Sequence, residues 1–71
     1  MTHKVVVYLK NGNEYTYSKA YIYFNFECDT MLLDYKTVDG TWDIDNVYLE
    51  EVKEIEIDGV FYDNFELIIE L

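Results

Sequence analysis

The sequence has no arginine and no proline, and it carries one cysteine (Cys28), one histidine (His3) and three isolated glycines. Each absence removes a class of function. Five lysines without arginine cannot engage a phosphate backbone against fifteen Asp and Glu, so a direct nucleic-acid partner is excluded. One thiol cannot form an internal disulfide and fits a reducing compartment. Three lone glycines make no phosphate-cradling loop, and no Cys/His spacing suits a metal. No run approaches the roughly 20 apolar residues of a membrane span. The opening residues Met1 to Tyr8 contain no apolar segment of signal-peptide type, so a cytoplasmic protein is expected. Without proline or any linker-like stretch, residues 1–71 read as one domain.

What is present is 51% hydrophobic and 18% aromatic, with a formal net charge of −10. Acidic disordered tails lack such aromatic and β-branched content. The chain therefore folds, on a small margin. Below about 70–80 residues one core rarely supplies more than ~3–5 kcal/mol, and self-repulsion among carboxylates reduces that further.

The hydrophobic pattern has a period of two. Ala20, Ile22, Phe24, Phe26 and Cys28 alternate with Tyr21, Tyr23, Asn25 and Glu27, which puts the first set on a buried sheet face and the second in water. Val5, Val7 and Leu9 repeat the stripe before Asn11-Gly12, a hairpin signal of type I′. Strands are expected over 4–10, 14–18, 20–28 and 31–37. A turn at Asp39-Gly40 precedes a short strand in which Trp42 and Ile44 alternate with Asp43 and Asp45. Residues 52–58 follow with Ile55 and Ile57 inward and Glu54, Glu56 and Asp58 outward. After Asp58-Gly59, the alternation of Phe65, Leu67, Ile69 and Leu71 favours a final strand, although Asp63 and Glu66 imitate a capping box. Asp45 or Asn46 could cap a helical turn through Val47–Lys53. The fold class is all-β: a small antiparallel meander curling toward a barrel or sandwich, with room for one short helical turn.

Catalytic groups are scarce. His3 sits at a terminus and Cys28 on an apolar stripe, where buried thiols are inert. No catalytic residue, cofactor site or metal site is assigned, and the protein reads as a non-enzyme. One calcium-loop reading can be tested by spacing. Asp39, Thr41, Asp43, Asp45 and Glu50 fall at ligand intervals, but the position that needs glycine is Ile44 and the glycine stands at Gly40. A calcium-dependent module is thus a third-ranked reading.

The order of the charges is more informative than their sum. Residues 1–24 hold three lysines against Glu14, a balance of +2. Residues 25–71 hold two lysines against fourteen acids, a balance of −12. Glu54, Glu56 and Asp58 share one strand face, Glu66 and Glu70 can form a parallel row, and Asp43 and Asp45 can flank them. Outward residues of a strand repeat every ~6.8 Å and strands every ~4.8 Å. Such a row could occupy a Lys/Arg groove built for phosphate. A solvated face that protects sheet edges gives the same pattern. Solubility needs a net charge of only about 2–8 in magnitude, however, and this chain exceeds it. Tyr15, Tyr17, Tyr21 and Tyr23 lie on adjacent expected strands and could form a homodimer seam.

In length, absence of arginine, the Glu54-x-Glu56-x-Asp58 and Glu66-x-x-x-Glu70 rows and lack of catalytic groups, the chain resembles the small acidic DNA-mimic proteins of bacteriophages. The resemblance covers the character of the whole chain rather than a motif, and such proteins share no common fold. It implies an inhibitor acting on a basic DNA-binding protein of the host, with HU-type nucleoid-associated proteins favoured because they bind DNA with little sequence preference. The rival reading is a structural or assembly module, dimeric through its tyrosines, whose acidity serves solubility.

Overall fold

A computed structural model describes residues 1–65. Its strands are β1 (His3–Leu9), β2 (Glu14–Asn25), β3 (Thr30–Lys36), β4 (Trp42–Tyr48), β5 (Val52–Ile57) and β6 (Val60–Tyr62). They form one antiparallel sheet in the order β4-β3-β2-β1-β5-β6. β1 to β4 make the expected meander, and β5 returns to pair with β1. A 3-10 turn at Leu49–Glu51 is the helical element between Val47 and Lys53. The sheet curls without closing, so β4 and β6 remain its edges among the described residues.

The curl originates in β2. Glu14 to Tyr17 pair with β1, and Ala20 to Asn25 pair with β3. Between them Ser18 and Lys19 oppose Lys4 alone, because the register passes from His3↔Ala20 to Val5↔Tyr17. An extra residue of this kind bends a strand and increases its twist. The two strands expected over 14–18 and 20–28 are therefore one strand, bulged where the pattern breaks. Chain length shows how far the sheet must bend. In a flat sheet the end of β4 and the start of β5 would lie about 40 Å apart, but four residue steps reach at most ~14 Å. The sheet folds over at the bulge. Hydrogen bonds from Leu49 N–H to the Asp29 carbonyl and from Lys10 N–H to the Glu51 carbonyl, each 2.9 Å, secure the crossing.

Between the two halves lies one core. Val5, Val7, Leu9, Val52, Ile55 and Ile57 come from one half, and Ala20, Ile22, Met31 and Leu33 from the other. Leu49 on the 3-10 turn and Tyr17 beside the bulge complete it. Phe65 packs on this core and stacks on Phe24 with ring centroids 6.3 Å apart. A second register slip, from Tyr8↔Glu54 to Leu9↔Val52, sets Lys53 aside and lets Val52 face inward with Ile55.

The structure revises several expectations at the turns and in β4. At Asn11-Gly12 only Gly12 takes positive φ (92°), and its N–H donates to the Leu9 carbonyl at 3.0 Å. This is a three-residue hairpin loop with glycine in the left-handed position, not a type I′ turn. The pair Asp58-Gly59 (φ 50° and 87°) does have the type I′ signs. Cys28, expected on the buried stripe, is exposed. β2 ends at Asn25, whose side-chain oxygen accepts from Cys28 N–H at 3.2 Å, and Asp29 at φ 55° closes the turn. Phe26 leaves the core for the same reason and is exposed. Strand β4 also presents its acids inward: Asp43 and Asp45 stand opposite Tyr35 and Leu33, while Trp42 and Ile44 face solvent. Of the C-terminal stripe, Leu67, Ile69 and Leu71 lie outside the described residues.

Two isoleucines test this assignment of faces. Ile55 is fully buried and Ile44 is 58% exposed. Ile55→Ala is expected to cost about 2–5 kcal/mol in urea unfolding, and Ile44→Ala no more than about 0.5 kcal/mol. Equal losses would show that β4 is assigned to the wrong face.

Candidate acidic interface

The fold-over gives the sheet two outer faces of different chemistry. On the half built from β1, the first part of β2, β5 and β6, the outward set comprises Lys4, Tyr8, Glu14, Thr16, Glu54, Glu56 and Phe61, with Val6 buried among them. Tyr8 is the centre of this face, since its Cα partners are Glu14 on β2 and Glu54 on β5. Its hydroxyl donates to Glu56 Oε1 at 3.0 Å, and its ring stacks with Phe61, centroids 6.1 Å apart. The Glu56 carboxylate holds the Tyr8 proton, raising its pKa above the ordinary tyrosine value, with smaller contributions from burial and from Glu14 and Glu54.

Three carboxylates therefore surround one tyrosine on a rigid sheet. Glu14 and Glu54 are two strand spacings apart, ~9.6 Å, and Glu54 and Glu56 one strand repeat apart, ~6.8 Å. Glu14 was missing from the acidic rows read along the chain, where it lies among lysines. Hairpin register was the available signal, since a loop over residues 10–12 makes Tyr8 and Glu14 direct partners. Lys4 alternates onto this face with Val6 and Tyr8, but no lysine among the described residues comes within ion-pair distance of the three carboxylates. Among the described residues the one ion pair is His3–Asp58.

The other expected site residues do not all join this face. Asp58 sits at the β5–β6 turn, where it accepts from Lys4 N–H at 3.0 Å and bonds His3 Nδ1 at 2.6 Å. Asp43 and Asp45 are on the far half of the sheet, turned toward the core rim. There Asp45 accepts from the Tyr17 hydroxyl at 2.7 Å, and Asp43 accepts from Ile44 N–H at 2.8 Å. Asp45 thus has a structural task, because Tyr17 fills the core and its hydroxyl needs an acceptor at the rim, and neither acid lies on the face of Glu54 and Glu56. Burial first and Asp45 second push the Tyr17 pKa up. Glu66 and Glu70 lie outside the described residues.

The four tyrosines are also divided. Tyr17 is 6% exposed and unavailable to a seam. Tyr15 lines a cleft with Lys10, Glu50 and Glu51, away from Tyr21 and Tyr23. The calcium-loop residues are not gathered either. Asp39 is engaged by the Thr37 and Thr41 hydroxyls, bonds that hold its carboxyl below the usual range, and Asp43 and Asp45 belong to a strand. Among the described residues no group of three or more His, Cys, Asp or Glu could hold a metal ion.

The His3 bond, then the Lys4 N–H bond, lower the Asp58 pKa. A depressed carboxyl contributes stability above its unfolded pKa of about 3.9 and loses it as pH falls through the folded value. Asp58→Asn keeps the left-handed turn accessible. It is expected to melt below the wild type at about pH 5, with the gap closing by about pH 2–3. A gap that ignores pH would show that the carboxylate charge has no part in tying β1 to this turn.

No helix among the described residues is long and apolar enough to cross a membrane. No protein-family model, curated protein or solved structure matches the chain.

Proposed function

We propose that this protein is a non-enzymatic inhibitor whose acidic sheet face imitates the charge of DNA and occupies the DNA-binding surface of a basic protein. The observation that carries the reading is the cluster of Glu14, Glu54 and Glu56 around Tyr8, with no lysine within ion-pair distance among the described residues. Folding alone would not favour it, because like charges on neighbouring strands repel. A partner that supplies Lys and Arg converts that repulsion into charge-assisted hydrogen bonds. Tyr8 and Phe61 add ring faces on which a guanidinium can stack. The type of target follows from the chemistry. A protein that binds DNA through backbone charge with little sequence preference, as HU-type nucleoid proteins do, requires only matched charge and shape.

The test is displacement of a labelled duplex from a purified HU-type protein. Displacement is expected at low salt and should weaken steeply as salt rises, as steered association does. Reversing Glu14, Glu54 and Glu56 to lysine should weaken it by at least ~10-fold, whereas Asp43→Asn should leave it unchanged. Failure to displace DNA from any basic DNA-binding protein tried would reject mimicry, and indifference to the triple reversal would reject this face.

A further inference from the structure

The second outer face, on β3, β4 and the latter part of β2, is unlike the first. Cross-strand rows run Tyr21–Asp34–Ile44 and Tyr23–Leu32–Asn46, with Lys36 opposite Trp42 and Thr30 opposite Tyr48. Tyr23 (55%), Trp42 (50%), Ile44 (58%) and Tyr48 (58%) are exposed, and Tyr21 stacks on Trp42 with centroids 5.8 Å apart. In a chain of net charge −10, the charged residues in these rows are one aspartate, Asp34, and one lysine, Lys36.

We infer that this face is the contact between two copies of the protein, packed sheet against sheet about a two-fold axis. Charge selects the occupant. Two copies that meet through any acid-bearing surface bring carboxylates together, whereas this face is neutral in sum. Area supports the same occupant. Half-exposed aromatic side chains offer about 100 Å² each, so the face contributes about 500–600 Å² per copy. Two copies bury about 1,000–1,200 Å², between weak and specific interfaces and suited to a dimer of micromolar affinity. Pairing through the β4 edge is disfavoured, because the Asp43 carboxylate already occupies Ile44 N–H. This inference stands apart from the DNA-mimic proposal and can fail independently, since it uses the opposite face.

Sedimentation equilibrium from about 1 µM to 1 mM tests it. The chain of 8.5 kDa is expected to pass from monomer to dimer across that range. Raising salt should tighten the dimer several-fold by screening repulsion between two acidic bodies, the opposite of its effect on a basic partner. Ile44→Glu and Tyr23→Ser, each checked for an unchanged circular dichroism spectrum, should weaken dimerisation at least ~10-fold. A monomer at every concentration, a dimer loosened by salt, or a dimer insensitive to both substitutions would overturn the inference.

Discussion

The bulge at Ser18–Lys19 is the constraint on which the rest of this structure depends. A six-stranded sheet has two faces, and a chain of 71 residues cannot cover both. By bending one long strand, the protein makes the sheet its own cover. The inner faces of the two halves bury one another, and Leu49 and Phe65 pack onto that core. The hydroxyl of Tyr17, one residue before the bulge, crosses from the first half to Asp45 on the second. That bond locks the angle between the halves. It also explains why an acid stands at an inward position of β4.

Charge is the second constraint, and it acts against folding. The described acids have no lysine within ion-pair distance, and His3 holds only Asp58. The acids that the fold employs are identifiable by their bonds. Asp58 fixes a strand end, Asp39 closes a hairpin with Thr37 and Thr41, Asp43 caps an edge amide and Asp45 receives Tyr17. Glu14 and Glu54 have no such employment, and Glu56 only the proton of Tyr8. A carboxylate that tightens a turn stabilises the fold locally, whereas three on one sheet face cost self-repulsion. The second group therefore carries the functional proposal.

Much of this was legible in the sequence, and the rest failed for definite reasons. Period-two alternation located β1, β3, β5 and the inward set Ala20, Ile22, Ile55 and Ile57, because half-buried strands must alternate. It extended β2 to Cys28, because alternation does not register that Asn25 closes a turn with its own side chain. An apolar-in rule reads β4 backwards, since the rule counts greasy residues and not the acceptor that Tyr17 requires. The acidic face was found in part. Glu54 and Glu56 follow from position along one strand, whereas Glu14 belongs to them only through hairpin register. Asp43 and Asp45 were grouped with them by sequence proximity, which a folded-over sheet does not preserve.

The outer faces carry the last step. Once the inner faces are buried together, solvent is the ordinary neighbour of both outer ones, and polar residues suffice for each. The first half has charge in excess of that need. The second has Trp42, Ile44, Tyr23 and Tyr48 half or more exposed. A monomer gains nothing from either departure: uncompensated carboxylates strain it, and exposed rings invite aggregation. The departures are divided in the main by the same bulge that builds the core, with Phe61 the exposed ring of the acidic half. β2 shows this within one element, with Glu14 and Thr16 outward before the bulge and Tyr21 and Tyr23 outward after it. Segregation on this scale is how one small sheet can meet two kinds of surface at once, a basic one through charge and an apolar one through rings, with salt acting in opposite directions on the two contacts.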